Sequence, residues 1–415
     1  MSSEVVKECR LCKSRSLSPI LDFGSIPLGN NLLDNLQDAL CADKYPLGVI
    51  RCNDCHHFQL SFSVDPKILY ATNYTYLSAI GESFSIHQDE YCRWLDSKIG
   101  NLEDKLIFEI GSNDGSLLKK FKKNGARVCG VDPAGLAADA AKREGIATYN
   151  EFYSQETNNR ILSEFGNPDL VVSQNVLAHV DDLVSVFKNI FQVLRFGGYF
   201  SFEIGYFKSV LENNLFDTIY HEHLDYHHAA PLKQILNQIG FSLLHFSTYP
   251  VQGGSLRILA KKTQTIENAD SVNSFLDEEK KSILYDDEFL QSWHRKISTN
   301  MSEVATILRK NHQENKLVVG YGSPTKAVLL LKMLNIGKDE IKYTIEDNQL
   351  KVGKFLSSSG IQIKSFDSLI LDNEVEVIFI FAWNFADDII KKIRNIGLKN
   401  VKIIVPLPKL KVISL

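Results

Sequence analysis

The stretch KLIFEIGSNDGSLLKKFKKNG, residues 105–125, decides the fold. LIFEI is a short apolar run that carries one carboxylate, GSNDG is a glycine-bounded turn, and SLLKKFKK sets apolar residues at helical spacing between lysines. Strand, tight turn and helix in that order is the opening of an α/β unit. The text that follows repeats the pattern. RVCGVD (127–132) reads as a strand and GLAADAAKREG (135–145) as a helix, and DLVVSQ (169–174) and GYFSFEI (198–204) read as further strands. Strands alternating with helices predict a parallel sheet with helices on its faces.

The turn is not a dinucleotide fingerprint, because Asn113 and Ser116 stand where the second and third glycines belong. A pyrophosphate seeks bare amides at a helix start, whereas Glu109 and Asp114 bring carboxylates to this turn beside Gly111 and Asn113. Acids suit a ligand carrying an ammonium group. Asp132, ending the second strand, is placed to accept hydrogen bonds from ribose hydroxyls. Glycine turn, acids and ribose acceptor together fit S-adenosyl-L-methionine, and a plain strand-to-helix turn is the competing reading. In QNVLAHV (174–180), Asn175 follows a strand at the carboxyl edge where open α/β sheets bind ligands, and is a candidate cofactor contact. It is equally a residue that satisfies its own backbone at a helix start.

Outward from this core, the chain divides into four parts: 1–70, 71–260, 261–315 and 316–415. The first holds two C-x-x-C pairs, Cys9 with Cys12 and Cys52 with Cys55. Two such knuckles aim four thiolates at one tetrahedral ion, and a closed Zn2+ site of this kind is structural. CNDCHH leaves room for a histidine in place of one thiolate. Cys41, Cys92 and Cys129 lack a pairing pattern and read as core residues. Residues 261–315 read as one or two long amphipathic helices. A second, smaller α/β unit then begins with KLVVGYGS (316–323), PTKAVLLLKMLN (324–335), IKYTIED (341–347) and EVEVIFIFAW (374–383).

Composition excludes several classes. The net charge of −4 gives no basic field for nucleic acid. Apolar runs fall short of the roughly 18 residues of a membrane span, and MSSEVVKECRLC has no apolar signal core, so a cytoplasmic protein is expected. Oligomeric state is not readable from this pattern.

The sequence resembles the sugar C-methyltransferases that act on nucleotide-linked keto-deoxysugars. The likeness covers nearly the whole chain and is carried, in order, by CRLC, CNDC, YTYLSAI, FEIGSNDGSLL, GVDP, QNVLAHV, YHEHLDYH, GGSLR, GYGSPTK, EDNQLKVGKF and FAWNF. It implies a zinc-binding N-terminal module, a class I methyltransferase core with a Rossmann-like fold, and a smaller C-terminal Rossmann-like domain. It further implies methyl transfer from S-adenosylmethionine to a ring carbon, C3, beside a C4 ketone, the sugar being linked to thymidine diphosphate or another nucleoside diphosphate.

DTIYHEHLDYHH (217–228) packs four histidines and two tyrosines into twelve residues. A carbon next to a ketone becomes nucleophilic once it loses a proton, which needs a base near the C–H and a donor near the oxyanion. The resemblance implies that Tyr220, Glu222 and His223 form the acid/base group, with His223 as base, Glu222 orienting it or relaying its proton, and Tyr220 bonding the ketone oxygen. It adds Tyr76 as an active-site tyrosine and His179 near the reacting centre. A metal at this cluster, or a plain surface loop, are the competing readings. GGSLR offers Arg257 to the substrate, and Gln252 stands where the family has a histidine. In the C-terminal unit, Ser323 and Lys326 beside Gly320 and Gly322 suit an anionic ligand at a helix start. The resemblance adds Tyr321, Lys351, Phe355 and Asn384 as contacts to the nucleotide, although Ser323, Pro324 and Thr325 replace alanines and Gln349 replaces a proline of the family pattern. Two other functions stay open: an O- or N-methyltransferase on another small metabolite, and a binding protein with a degenerate methyltransferase core.

Overall fold

The computed structural model describes residues 3–69, 82–372, 374–398 and 400–415. Its centre is a seven-stranded sheet in the order 241–249, 255–262, 199–205, 170–174, 106–110, 127–131, 147–149. All five residues of Leu106–Ile110 are buried, as expected of a central parallel strand covered on both faces. The helix Ser116–Lys123 turns Leu117, Leu118 and Phe121 inward and leaves its lysines to solvent.

The sheet is not wholly parallel. Ser255–Lys262 runs antiparallel to both neighbours, Tyr199–Gly205 and Phe241–Tyr249. Sequence reading stopped before this hairpin, whose strands interleave polar residues with apolar ones. The expectation of a purely parallel sheet is corrected accordingly.

Strands Leu17–Pro27, Lys44–Cys52 and Phe58–Leu60 form an antiparallel meander in the N-terminal module. A fourth strand, Asp225–Tyr226, comes from the methyltransferase core and pairs with Phe58 and Gln59. The histidine-rich segment therefore completes the sheet of the cysteine module, which ties the two units covalently distant in sequence into one body.

The connector is two helices, Asp270–Lys280 and Asp287–Gln313. Asp286 accepts from the Phe289 amide and caps the longer one, and Leu290, Trp293, Ile297, Met301, Val304 and Leu308 form its buried stripe. The C-terminal sheet has the order 362–365, 343–346, 317–321, 375–380, 402–405, 411–414, parallel except for the last strand. The N-terminal module also touches this unit, through a backbone bridge between Leu33 and Phe355. Among the described residues no helix is long and apolar enough to cross a membrane.

Candidate functional site

The segment after helix Phe207–Glu212 winds through a short helical turn, Phe216–Thr218, and brings Tyr220, Glu222, His223 and His179 together. His223 Nδ1 lies 2.9 Å from the Thr218 carbonyl oxygen, so Nδ1 carries the proton and donates. Nε2 is then the lone-pair nitrogen, and the Tyr220 hydroxyl donates to it at 2.7 Å. Burial first, and then the neighbouring His179 and His227, hold the His223 ring well below the usual histidine range. His179 packs edge-on against His223 with ring centroids 4.8 Å apart, and burial lowers it to about 4. Both imidazoles are thus neutral at pH 7.

Glu222 is buried and pushed up to about 7, chiefly by loss of solvent. Its Oε1 accepts from Asn30 Nδ2 at 3.0 Å, and its Oε2 has no partner among the described residues. The expected hand-off between Glu222 and His223 is not made here: Thr218 and Tyr220 orient the ring, and Asn30 holds the carboxylate. Tyr76 lies outside the described residues. The other histidines of the segment pack against the N-terminal module and helix Asp270–Lys280. His221 donates to the Tyr45 carbonyl at 3.2 Å, His228 faces Glu279 and the His56 carbonyl, and His227 lies against the ring of His57.

The cofactor end sits at the carboxyl edge of the central strands. Gly111 adopts φ +71°, and a Cβ there would fall 2.2 Å from a Val176 methyl, so the turn passes this close only because the residue is glycine. Asn113 has φ 48° and donates its amide to Asp132 Oδ2 at 2.8 Å, while Ala134 donates to Asp132 Oδ1 at 2.8 Å. Each Asp132 oxygen keeps a second lone pair for a hydroxyl. Asp114 Oδ1 accepts from the Ser116 amide at 3.2 Å, within the turn that leads into the helix. Asn175, with φ 56°, donates its backbone amide to the Glu203 carbonyl at 2.8 Å. Glu109 is 3% exposed and its buried Oε2 has no partner among the described residues. Burial first, and then Asp132 and Asp114, push its pKa well above the usual carboxylate range. An orphaned acceptor among acids fits an ammonium group, as S-adenosylmethionine carries, and does not fit a phosphate.

Arg257 does not face a substrate. It is 1% exposed, its Nε donates to Glu203 Oε2 at 2.9 Å, and its guanidinium lies over the rings of Tyr249, Tyr91 and Trp94. Its position in the middle of the antiparallel strand turns it into the sheet's covering layer, which corrects the expectation of a substrate contact.

In the C-terminal unit the turn after strand Leu317–Tyr321 has its donors in use. The Ser323 amide and hydroxyl both donate to Glu346 Oε2, at 2.9 and 2.5 Å, and Lys351 donates to the Ser323 carbonyl at 3.0 Å. Lys326 lies over the ring of Trp383 with its Nζ 3.8 Å from Asp217 Oδ2, and the Trp383 indole donates to the same oxygen at 2.5 Å. That lysine is a bolt between this unit and the segment leading to Tyr220. Tyr321 is buried with its hydroxyl toward Asp347, Phe355 is half-buried, and Asn384 is exposed. Glu346 went unnoticed in the sequence, yet an acid ending the second strand, as Asp132 does, was the available signal. Asn30, Thr218 and Trp383 left no such signal.

The Sγ atoms of Cys9, Cys12, Cys52 and Cys55 lie within 4.8 Å of one another, with Cys9–Cys55 at 3.6 Å and Cys12–Cys52 at 3.5 Å. Tetrahedral zinc at about 2.3 Å from each thiolate requires sulfur separations of about 3.8 Å. The donor set fits that ion. Among the described residues the converging ligand atoms are these four thiolates alone, and His57, whose Nε2 lies 2.8 Å from Asp225, is not in that set.

Residues 9–70 match a family model described as "Putative zinc binding domain", residues 85–246 one described as "Methyltransferase domain", and residues 250–408 one described as "C-methyltransferase C-terminal domain". The chain is similar to "C-methyltransferase NovU" of Streptomyces niveus, 30% identical over 410 residues that cover 99% of this chain and 97% of that one. It is 31% identical over 125 residues to the ubiquinone biosynthesis O-methyltransferase of Aeromonas salmonicida (strain A449), covering 28% of this chain and 51% of that one. Among solved structures, the magnesium protoporphyrin IX methyltransferase (ChlM) from Synechocystis PCC 6803 with bound SAM aligns at 17% identity and a TM-score of 0.33, over 43% of this chain and 79% of that one. With a full-length relative and three matching segments in order, the chain belongs to the C-methyltransferase family, as an S-adenosylmethionine-dependent enzyme with a zinc-binding N-terminal module.

Proposed function

We propose that this C-methyltransferase acts on C3 of a nucleotide-linked 4-keto-6-deoxysugar, through an enolate formed at the Tyr220–His223 cluster. The observation that carries this reading is the neutral His223 ring, fixed by the Thr218 carbonyl so that its Nε2 lone pair points at the Tyr220 hydroxyl. When Tyr220 turns its hydroxyl to the ketone oxygen, Nε2 is released to take the proton of the adjacent carbon. The hydroxyl bonds the developing oxyanion where charge accumulates. Burial of the cluster strengthens that bond and keeps water from reprotonating the carbon. S-adenosylmethionine, when bound, supplies the electrophilic methyl group. Glu109, Gly111, Asn113, Asp132 and Asn175 are the residues proposed to hold it. In the C-terminal unit, Asp347, directly after the second strand, suits a nucleoside's ribose hydroxyls, and Tyr321, Ser323, Lys351, Phe355 and Asn384 are the other proposed contacts.

A second assignment of the base has its own support. Glu222 has a buried oxygen with no partner among the described residues, and burial pushes its pKa up to about 7, which matches a general base at neutral pH.

The test is proton exchange in deuterated water with a thymidine-diphosphate-linked 4-keto-6-deoxyhexose. The wild type should exchange the hydrogen at the carbon beside the ketone. His223→Asn should lose about 10²- to 10⁴-fold in exchange and methylation while cofactor binding persists. Retained exchange in that variant, lost in Glu222→Gln, assigns the base to Glu222. Full methylation with no exchange in either would refute the enolate and favour an O- or N-methyl acceptor.

A further inference from the structure

One side chain of the N-terminal module reaches into the proton-handling cluster. Asn30 lies in the turn after strand Leu17–Pro27. Its Nδ2 donates to Glu222 Oε1 at 3.0 Å, and its Oδ1 accepts from the Thr325 hydroxyl at 2.6 Å. The amide has one sensible orientation when Glu222 is ionised, because the reverse would set a carbonyl oxygen against a carboxylate. Three segments distant in sequence therefore meet on one amide: the zinc-binding module, the Tyr220–His223 cluster and the glycine turn of the C-terminal unit. The approach is as close as backbones permit. A Cβ on Gly29 would stand 2.1 Å from the Thr325 carbonyl oxygen, so a glycine before Asn30 is a condition of the contact.

We propose that Asn30 is a positioning residue for methyl transfer: it fixes the Glu222 carboxylate and ties it to Thr325, so that the carboxylate is set in place only when the C-terminal unit is seated on the zinc-binding module. The proposal rests on the reading in which Glu222 takes part in the proton chemistry. Glu222 Oε2 has no partner among the described residues, so the Asn30 amide is the side-chain donor that offsets burial of this carboxylate. The other titratable groups around it are His179, whose ring bonds its backbone, Tyr226, and its chain neighbours His221 and His223. Among the described residues none of them donates to the carboxylate, whose donors are its own backbone amide and Asn30. Loss of the Asn30 donor therefore disfavours the ionised form, and an activity limb that requires ionised Glu222 moves to higher pH.

Asn30→Asp keeps the side-chain shape and the acceptor for Thr325 but turns an oxygen toward Glu222. It should lower kcat about 10- to 100-fold with the thymidine-diphosphate-linked 4-keto-6-deoxyhexose and move the acid limb upward by about one pH unit, while the Kd for S-adenosylmethionine stays at the wild-type value. Asn30→Ala should cost far less in a Glu222→Gln background than in the wild type, because partners in one network do not add. A purely structural asparagine would cost the same in both. A readout free of substrate is the Glu222 carboxyl band, followed across pH by infrared difference against Glu222→Gln; its midpoint should move upward in Asn30→Ala. Wild-type kcat in Asn30→Asp, equal costs in the two backgrounds, or an unmoved carboxyl midpoint each overturns the role of Asn30. Wild-type turnover by Glu222→Gln itself overturns the underlying reading of Glu222, and this inference with it.

Discussion

Replacing Glu109 with glutamine tests the cofactor end of the site through its electrostatics. The carboxyl is buried at the end of strand Leu106–Ile110, one oxygen has no partner among the described residues, and Asp132 and Asp114 stand nearby. Burial and then those two acids favour its protonated form in the ligand-free protein. A ligand ammonium needs the ionised form, so binding must expel the proton, and affinity should rise with pH from the ordinary carboxylate range toward the raised value. Glutamine keeps the shape and loses the charge. A hydrogen bond to a charged group is worth about 1.5–3 kcal/mol, so Glu109→Gln should weaken S-adenosylmethionine binding about 10- to 150-fold. Titration calorimetry in two buffers of different ionisation enthalpy measures both effects, since only the wild type should release a proton. Stability should move the other way. A raised acid binds more protons folded than unfolded, so the wild type loses stability as pH rises above the ordinary carboxylate value, and the glutamine variant does not. The reasoning is refuted if the variant binds as tightly as the wild type, or if wild-type affinity and proton release stay flat as pH rises above the ordinary carboxylate range.

Asp225 is the opposite case. Burial pushes its carboxyl up, but Arg10 and His57 outweigh it and leave its pKa below the usual carboxylate range. Its stabilisation is present above the unfolded value and is lost as pH falls through the folded one, so Asp225→Asn should cost about 3–5 kcal/mol near pH 7, read by thermal denaturation, and approach the wild type in acid. Metal analysis should find zinc bound at the four cysteines, and Cys52→Ser or a strong chelator should lower the melting temperature and increase proteolysis of residues 9–60. Gly111→Ala combines a strained φ with a clash 2.2 Å from Val176, and should abolish S-adenosylmethionine binding in calorimetry while zinc content is unchanged.

Short-range patterns in the sequence carried a good part of this protein. Strand and helix periodicity reports burial directly, so the central strands from Leu106–Ile110 to Tyr199–Gly205 and the C-terminal α/β unit were legible. Cysteine spacing gave the metal site, because two residues between thiols is a local geometric requirement that survives without knowledge of the fold. The acids around the glycine turn were legible for the same reason: Glu109, Asp114 and Asp132 are fixed to strand ends by chain position alone.

Long-range pairing decided the rest. Arg257 looked like a substrate contact beside two glycines, and only the antiparallel register of its strand shows it facing Glu203 and three aromatic rings. Lys326 looked like a phosphate ligand until Asp217, more than a hundred residues earlier, was seen to hold it. Asn30 reaches Glu222 and Thr325 across separations of 192 and 295 residues. Sequence determines which chemical groups exist and which face of a strand or helix each one occupies. Whether a charge is left free for a ligand or neutralised by a distant partner is settled only when those faces dock, because burial and pairing depend on what lies within a few ångströms in space.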